Sequence, residues 1–184
     1  MRPLAVFASR LRAETGRPVP DMDPLDSGVE ARLLLLLETP AATVRQVGFV
    51  SRDNATPTAR NIRRFCEAAG LPRDIMLIWN AVPWMGDGAS GRNVAPRPDE
   101  VRAGLLRLPP LLALLPRLEV VVLAGRVARM AIGTVQAARP GLLVLTMPHP
   151  SPTIVCTSPR VGESIAGTLA AAAAAAALRR RPAG

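Results

Sequence analysis

The chain has 184 residues, 49% of them hydrophobic, which suits one domain with a full-sized core and excludes disorder throughout. Its 23 basic and 14 acidic side chains leave a formal charge of +9, a balance that favours a polyanionic partner such as nucleic acid. Two cysteines, Cys66 and Cys156, are too few for a disulfide framework or a cysteine-ligated zinc or iron–sulfur site, so the expectation is a metal-free, cofactor-free protein of the reducing cytoplasm.

The opening "MRPLAVFASRLRAETG" has too short an apolar stretch for a signal peptide and reads as an N-terminal helix and loop over 1–18. The segment "VPDMDPLDSG" (19–28) is a loop rich in Asp, Pro and Gly, and "RLLLLLE" (32–38) is the first buried strand. "TPTARNIRRFCEAAG" predicts a helix with Thr56 as N-cap, Pro57 in its first turn and Gly70 as terminator. The second strand is "IMLIWN" (75–80). "RPDEVRAGLLRL" then starts a helix at Pro98, which Pro109–Pro110 should kink or end. Strand "EVVVLAG" (119–125), helix "RVARMAIGTVQAAR" and strand "GLLVLT" (141–146) follow. The segment "IAGTLAAAAAAAAL" (165–178) is shorter than the roughly 20 residues of a membrane span and reads as a terminal helix before the polar tail 179–184.

None of the four strands alternates, as expected for parallel strands covered on both faces. The predicted architecture is a single α/β domain over 1–184, three layers α/β/α around a central, mostly parallel four-stranded sheet. Ligands of such sheets bind outside the carboxyl ends of the strands. Each strand is followed there by an unusual segment: "ETPAA", "NAVPW", "AGRVA" and "MPHPSP".

Several residues in and after these segments are candidates for chemistry. Glu38 ends the leucine strand, where a carboxylate is either a turn cap or a working group, and Pro40 stiffens the turn. Phe49, in a loop after Gly48, either plugs the core or offers a stacking face to a flat ligand. Asp53 is a second candidate carboxylate, and with Asn54 it sits where Asx side chains cap turns. Asn80 is costly to bury unless its amide is paired, and an amide presents the donor and acceptor pattern that reads a base edge. Trp79 and Trp84 read as packing residues. His149, the one histidine of the chain, lies among Pro148, Pro150 and Pro152, which pre-organise its loop.

Taken together, "LLLLLETP", "GFVSRDN", "WNAVPW" and "HPSP", in this order, resemble the uracil-DNA glycosylase superfamily over roughly residues 20–178. The likeness is to a cysteine-poor bacterial branch without an iron–sulfur cluster. It implies an enzyme that flips uracil out of DNA and hydrolyses the N-glycosidic bond. On this resemblance, His149 stabilises the leaving anion, Asn80 reads the base, Phe49 stacks on it, and Thr39 and Pro40 line the base site. Glu38 or Asp53 orients water. Ser151, Pro152, Arg52 and Arg160 contact DNA, and Ile154 or Val155 enters the space the base vacates. The implied partner is uracil-containing DNA, met by a monomer with no membrane association. Thr39 and Ala41 replace an Asp and a Tyr of the best-known branch, so the water-activating carboxylate and the rejection of thymine stay open. The missing Asp at Thr39 motivates an alternative, a catalytically weak binder of uracil or abasic sites. An unrelated hydrolase or nucleotide binder is disfavoured, because neither a G-x-S-x-G elbow nor a phosphate loop occurs.

Overall fold

The computed structural model describes residues 2–86 and 95–178; the tail 179–184 lies outside the described residues. Helix α1 (Arg2–Thr15) buries Leu4, Phe7, Ala8 and Leu11, the spacing of a helix laid along a core. The chain then passes through β1 (Asp21–Met22) into β2 (Leu33–Leu37), whose five leucines are all buried. The short α2 (Val44–Val47) leads to β3 (Phe49–Val50), which pairs in parallel with β1 as a small side sheet. Helix α3 (Pro57–Ala68) starts as its sequence predicts: the Thr56 hydroxyl accepts the Ala59 amide at 3.1 Å and Pro57 fills the first turn. Gly70, at φ 61°, closes it in the left-handed region.

After β4 (Met76–Asn80) come α4 (Pro98–Leu105) and α5 (Leu108–Ala113). Pro109 and Pro110 do not end α4; they occupy the first turn of α5, where a missing N–H leaves no bond unmade. Strand β5 (Val120–Ala124) is followed by α6 (Arg126–Arg129) and α7 (Ile132–Ala138) in place of one continuous helix. At the break, the Met130 and Ala131 amides tighten onto the Val127 and Ala128 carbonyls, three residues back, at 3.1 and 3.0 Å. Strand β6 (Leu143–Met147) starts two residues later than the sequence suggests, because Leu142 N–H closes a turn onto Arg139. The chain finishes with α8 (Pro152–Val155) and α9 (Pro159–Leu178). Helix α9 begins earlier than its alanine run, at a Ser158–Pro159 start.

The central sheet has the order β4–β2–β5–β6 and every pairing is parallel. Alternate side chains divide between two cores. Leu34, Leu36, Leu77, Trp79, Val121 and Leu123 face the layer of α1, α4, α5 and α7. Leu33, Leu35, Ile78, Val120 and Val122 face α3 and α9, where Ile165, Leu169, Ala172 and Ala176 form one buried stripe. This is the three-layer α/β/α arrangement. The exception to two-sided burial is β6, an edge strand whose Leu143 stays 38% exposed. Although α9 has 20 residues, no helix among the described residues is long and apolar enough to cross a membrane.

Helix α4 approaches the backbone after β4 so closely that a Cβ on Gly104 would lie 2.2 Å from the Ala81 carbonyl oxygen. Gly104→Ala should therefore cost about 2 kcal/mol of stability. A melting-temperature drop of about 4–8 °C by circular dichroism is the expected result.

Candidate active site

Because all four strands run the same way, their carboxyl ends open onto one edge, and a cleft of about 560 Å³ lies there. Its inner wall is built from Glu38, Thr39 and Pro40 after β2, Asn80 at the last position of β4, and His149, Ser151 and Pro152 after β6. Val50, Ser51, Asn54 and the first turn of α3 form the opposite wall. The chain runs from β2 outward to β4 and then returns to β5, so the strand order reverses between β2 and β5, and Glu38 stands at that crevice.

Glu38 Oε1 accepts the Val127 amide at 3.0 Å, so the carboxylate caps the first turn of α6 while lining the cleft. The cap and working-group readings thus describe one side chain. Gly125 lets it come this close. With φ at 92° it occupies a conformation that favours glycine, and a Cβ there would meet Glu38 Oε1 at 2.6 Å and His149 Cβ at 3.0 Å.

His149 is half-buried, and Ser151 N–H donates to its Nδ1 at 3.2 Å. A ring nitrogen that accepts carries no proton, so the neutral imidazole holds its hydrogen on Nε2. Burial lowers the His149 pKa below its ordinary 6.5, and the nearby Glu38 carboxylate opposes that shift only in part. The folded protein therefore keeps the ring uncharged at neutral pH. Stability held by this group is lost as pH falls below the ordinary histidine value, where the unfolded chain binds the proton more readily.

Asn80 is 1% exposed, and neither its Oδ1 nor its Nδ2 has a hydrogen-bond partner among the described residues. Its backbone position is fixed by register with Leu37, and the next two amides, Ala81 and Val82, bond the Leu37 and Glu38 carbonyls at 2.8 and 2.9 Å. A buried primary amide with both ends unsatisfied is a costly arrangement for a folded chain. A ligand in the cleft that offers one donor and one acceptor side by side would satisfy it.

Other candidates fall elsewhere. Asp53 is not brought into the cleft: its carboxylate pairs with Arg73, which also binds Asp23, and Asp26 at 3.0 Å. Burial and the adjacent Asp23 push the Asp26 carboxyl up to about 6, with Arg73 pulling the other way. Asp53 thus belongs to an ionic cluster that ties the 51–54 loop to the loop before β2, and Asn54 caps that loop by accepting the Ser51 amide at 2.7 Å. Phe49 is half-buried and does not line the cleft, which Val50 and Ser51 reach instead. Arg52 is half-buried near the buried Cys66, whose thiol burial pushes up to about 11 while the guanidinium opposes the shift. Val155 packs against the core beneath α8, while Ile154 is 39% exposed, and Arg160 is exposed at the start of α9. Trp79 and Trp84 are both buried.

Sequence reasoning did not single out Gly125, Asn61 or Arg73. Gly125 directly follows a strand, a position where a close approach is a recurrent reason for glycine. Nothing local marks Arg73, because its partners lie 20 to 50 residues away.

The fold and cleft define an α/β protein with an edge-of-sheet site that combines a neutral imidazole, a carboxylate and an unsatisfied amide. The chain belongs to the uracil DNA glycosylase superfamily, whose family model matches residues 26–170. Comparison with curated proteins gives no match. Membership supports a glycosylase-like function on DNA.

Two outcomes follow from the Glu38–Gly125–His149 contact. In protein labelled with 15N-histidine, the single imidazole should titrate below pH 6.5, and Glu38→Gln should lower its midpoint further by removing the opposing carboxylate. Gly125→Ala should shift the same signals and lower the melting temperature, since the added methyl displaces both neighbours.

Proposed function

We propose that the protein excises uracil from DNA by hydrolysing the N-glycosidic bond without a metal or cofactor. The observation that carries this reading is Asn80, an almost fully buried amide lining the cleft with both polar atoms unsatisfied among the described residues. The edge of uracil presents an N3–H donor beside the O4 acceptor, which matches the amide's acceptor and donor. Cytosine presents the reverse order. DNA is held through its phosphates, so binding weakens with salt, and the target base leaves the stack to reach the cleft.

Bond cleavage leaves the sugar oxocarbenium-like and the base as an anion. The Nε2–H of neutral His149 donates to uracil O2 as that charge develops. A neutral donor suits this role, because no proton needs to be lost or regained at pH 7. Glu38, the carboxylate at the cleft, stabilises the cationic sugar and orients the attacking water, while Asp53 remains with Arg73. Ser151 and Pro152 meet the phosphates, and exposed Ile154 enters the gap in the base stack.

Alkali treatment of a uracil-containing oligonucleotide after incubation with the protein should reveal strand breaks at the uracil. Binding without breaks would instead favour the weak or non-catalytic binder that Thr39, standing at the missing Asp, suggests. His149→Ala should lower the single-turnover rate by about 10²–10³-fold, the scale of one lost oxyanion donor. Glu38→Gln should lower the rate strongly, whereas Asp53→Asn, outside the cleft, should affect melting temperature more than rate. Asn80→Asp should lose uracil discrimination, and unchanged uracil kinetics in that variant would remove the base-reading role.

A further inference from the structure

The loop that carries His149 is unusually poor in backbone donors, since Pro148, Pro150 and Pro152 have no N–H. Its amino-terminal end is tied to the sheet by the Gly125 amide, which donates to the Met147 carbonyl at 3.0 Å. Its far end winds into α8, whose Ile154 and Val155 amides return to the Ser151 carbonyl at 3.0 and 2.9 Å. Between these anchors lies Pro150, which is buried, and its carbonyl needs a donor from outside the loop. Asn61 supplies it: Nδ2 donates to the Pro150 oxygen at 2.9 Å across a separation of 89 residues.

Asn61 sits in the body of α3, where asparagine is a poor helix former because its side chain competes for backbone bonds. Its side chain is spent instead on the neighbouring loop. The bond lands on the residue directly after His149, and the next amide, Ser151 N–H, is the one that fixes the imidazole through Nδ1. One side chain thus sets the peptide between the histidine and the group that chooses its tautomer.

We infer that Asn61 is a positioning residue for His149, holding the loop so that Ser151 N–H keeps Nδ1 as acceptor and Nε2–H faces the ligand. The inference rests on the reading of His149 as the donor to the departing base. Asn61 acts through the loop and does not line the cleft.

The test compares Asn61→Asp, of nearly equal size but without a donor at neutral pH, with Asn61→Leu. Single-turnover release of uracil should fall by about 10- to 100-fold in both, the scale of a misplaced catalytic group. Half-saturating DNA concentration should stay near wild type in Asn61→Asp, while its melting temperature falls by a few degrees because the buried Pro150 carbonyl loses its donor. The same proteins labelled with 15N-histidine should show altered Nδ1 and Nε2 shifts for the one imidazole. Wild-type rates together with an unchanged imidazole spectrum in folded Asn61→Asp would overturn the inference. If the wild-type protein releases no uracil, the proposed function fails separately. The imidazole spectrum then decides alone: altered shifts support the positioning role, and unchanged shifts overturn it.

Discussion

The Val127 amide donating to Glu38 fastens together the carboxyl ends of β2 and β5, and the geometry of the cleft depends on that bond. It spans the crevice where the strand order reverses, so it closes the one gap the sheet topology leaves open. Neither residue could reach the other past a side chain at position 125. From this point the rest is dictated by register. Leu37 is level with Asn80, which sets the amide beside Glu38, and Ala124 is level with Met147, which sets the histidine loop on the other side.

The groups of the cleft are held by different means. Asn80 is carried by a strand and cannot move without breaking the ladder. Glu38 is held by a helix-capping bond, and His149 by a loop whose freedom its prolines have largely removed. Each device reduces the entropy that a ligand must otherwise overcome to order the site. The Arg73 cluster serves the opposite wall, joining carboxylates from two loops so that Ser51 and Asn54 hold their place.

Most of the fold was legible in the sequence because short runs such as five leucines or three consecutive valines, bounded by turn residues and alternating with helical patterns, read as strands buried on both faces. The helix starts at Thr56–Pro57 and Pro98 were legible for the same local reason, a cap or a proline in the first turn. The break between α6 and α7 was not, since it depends on how Ala128, Ala131 and Val135 meet the core rather than on any local breaker. Of the candidate residues, those at strand ends converge, because topology alone places Glu38, Asn80 and His149. Phe49, Asp53 and Arg52 lie in or beside a loop tied down by Arg73, about 20 residues away in sequence. Pattern could suggest that loop's importance but not which way its side chains turn.

The composition of the cleft has one more consequence. Among its described lining residues Glu38 bears the one formal charge, with the imidazole neutral, while the chain as a whole carries +9. The long-range field therefore favours a polyanion, yet a phosphate in the interior would meet the Glu38 carboxylate and no cationic side chain among the described lining residues. Attraction and repulsion act at different depths of the same opening. On the proposed function, a strand of nucleic acid would be gathered to the rim, its charged backbone would be turned away from the floor, and only an uncharged ring would pass beyond it. Such a gate sorts by charge before any hydrogen bond reads identity, so free nucleotides should compete poorly for the space that a bare base can enter.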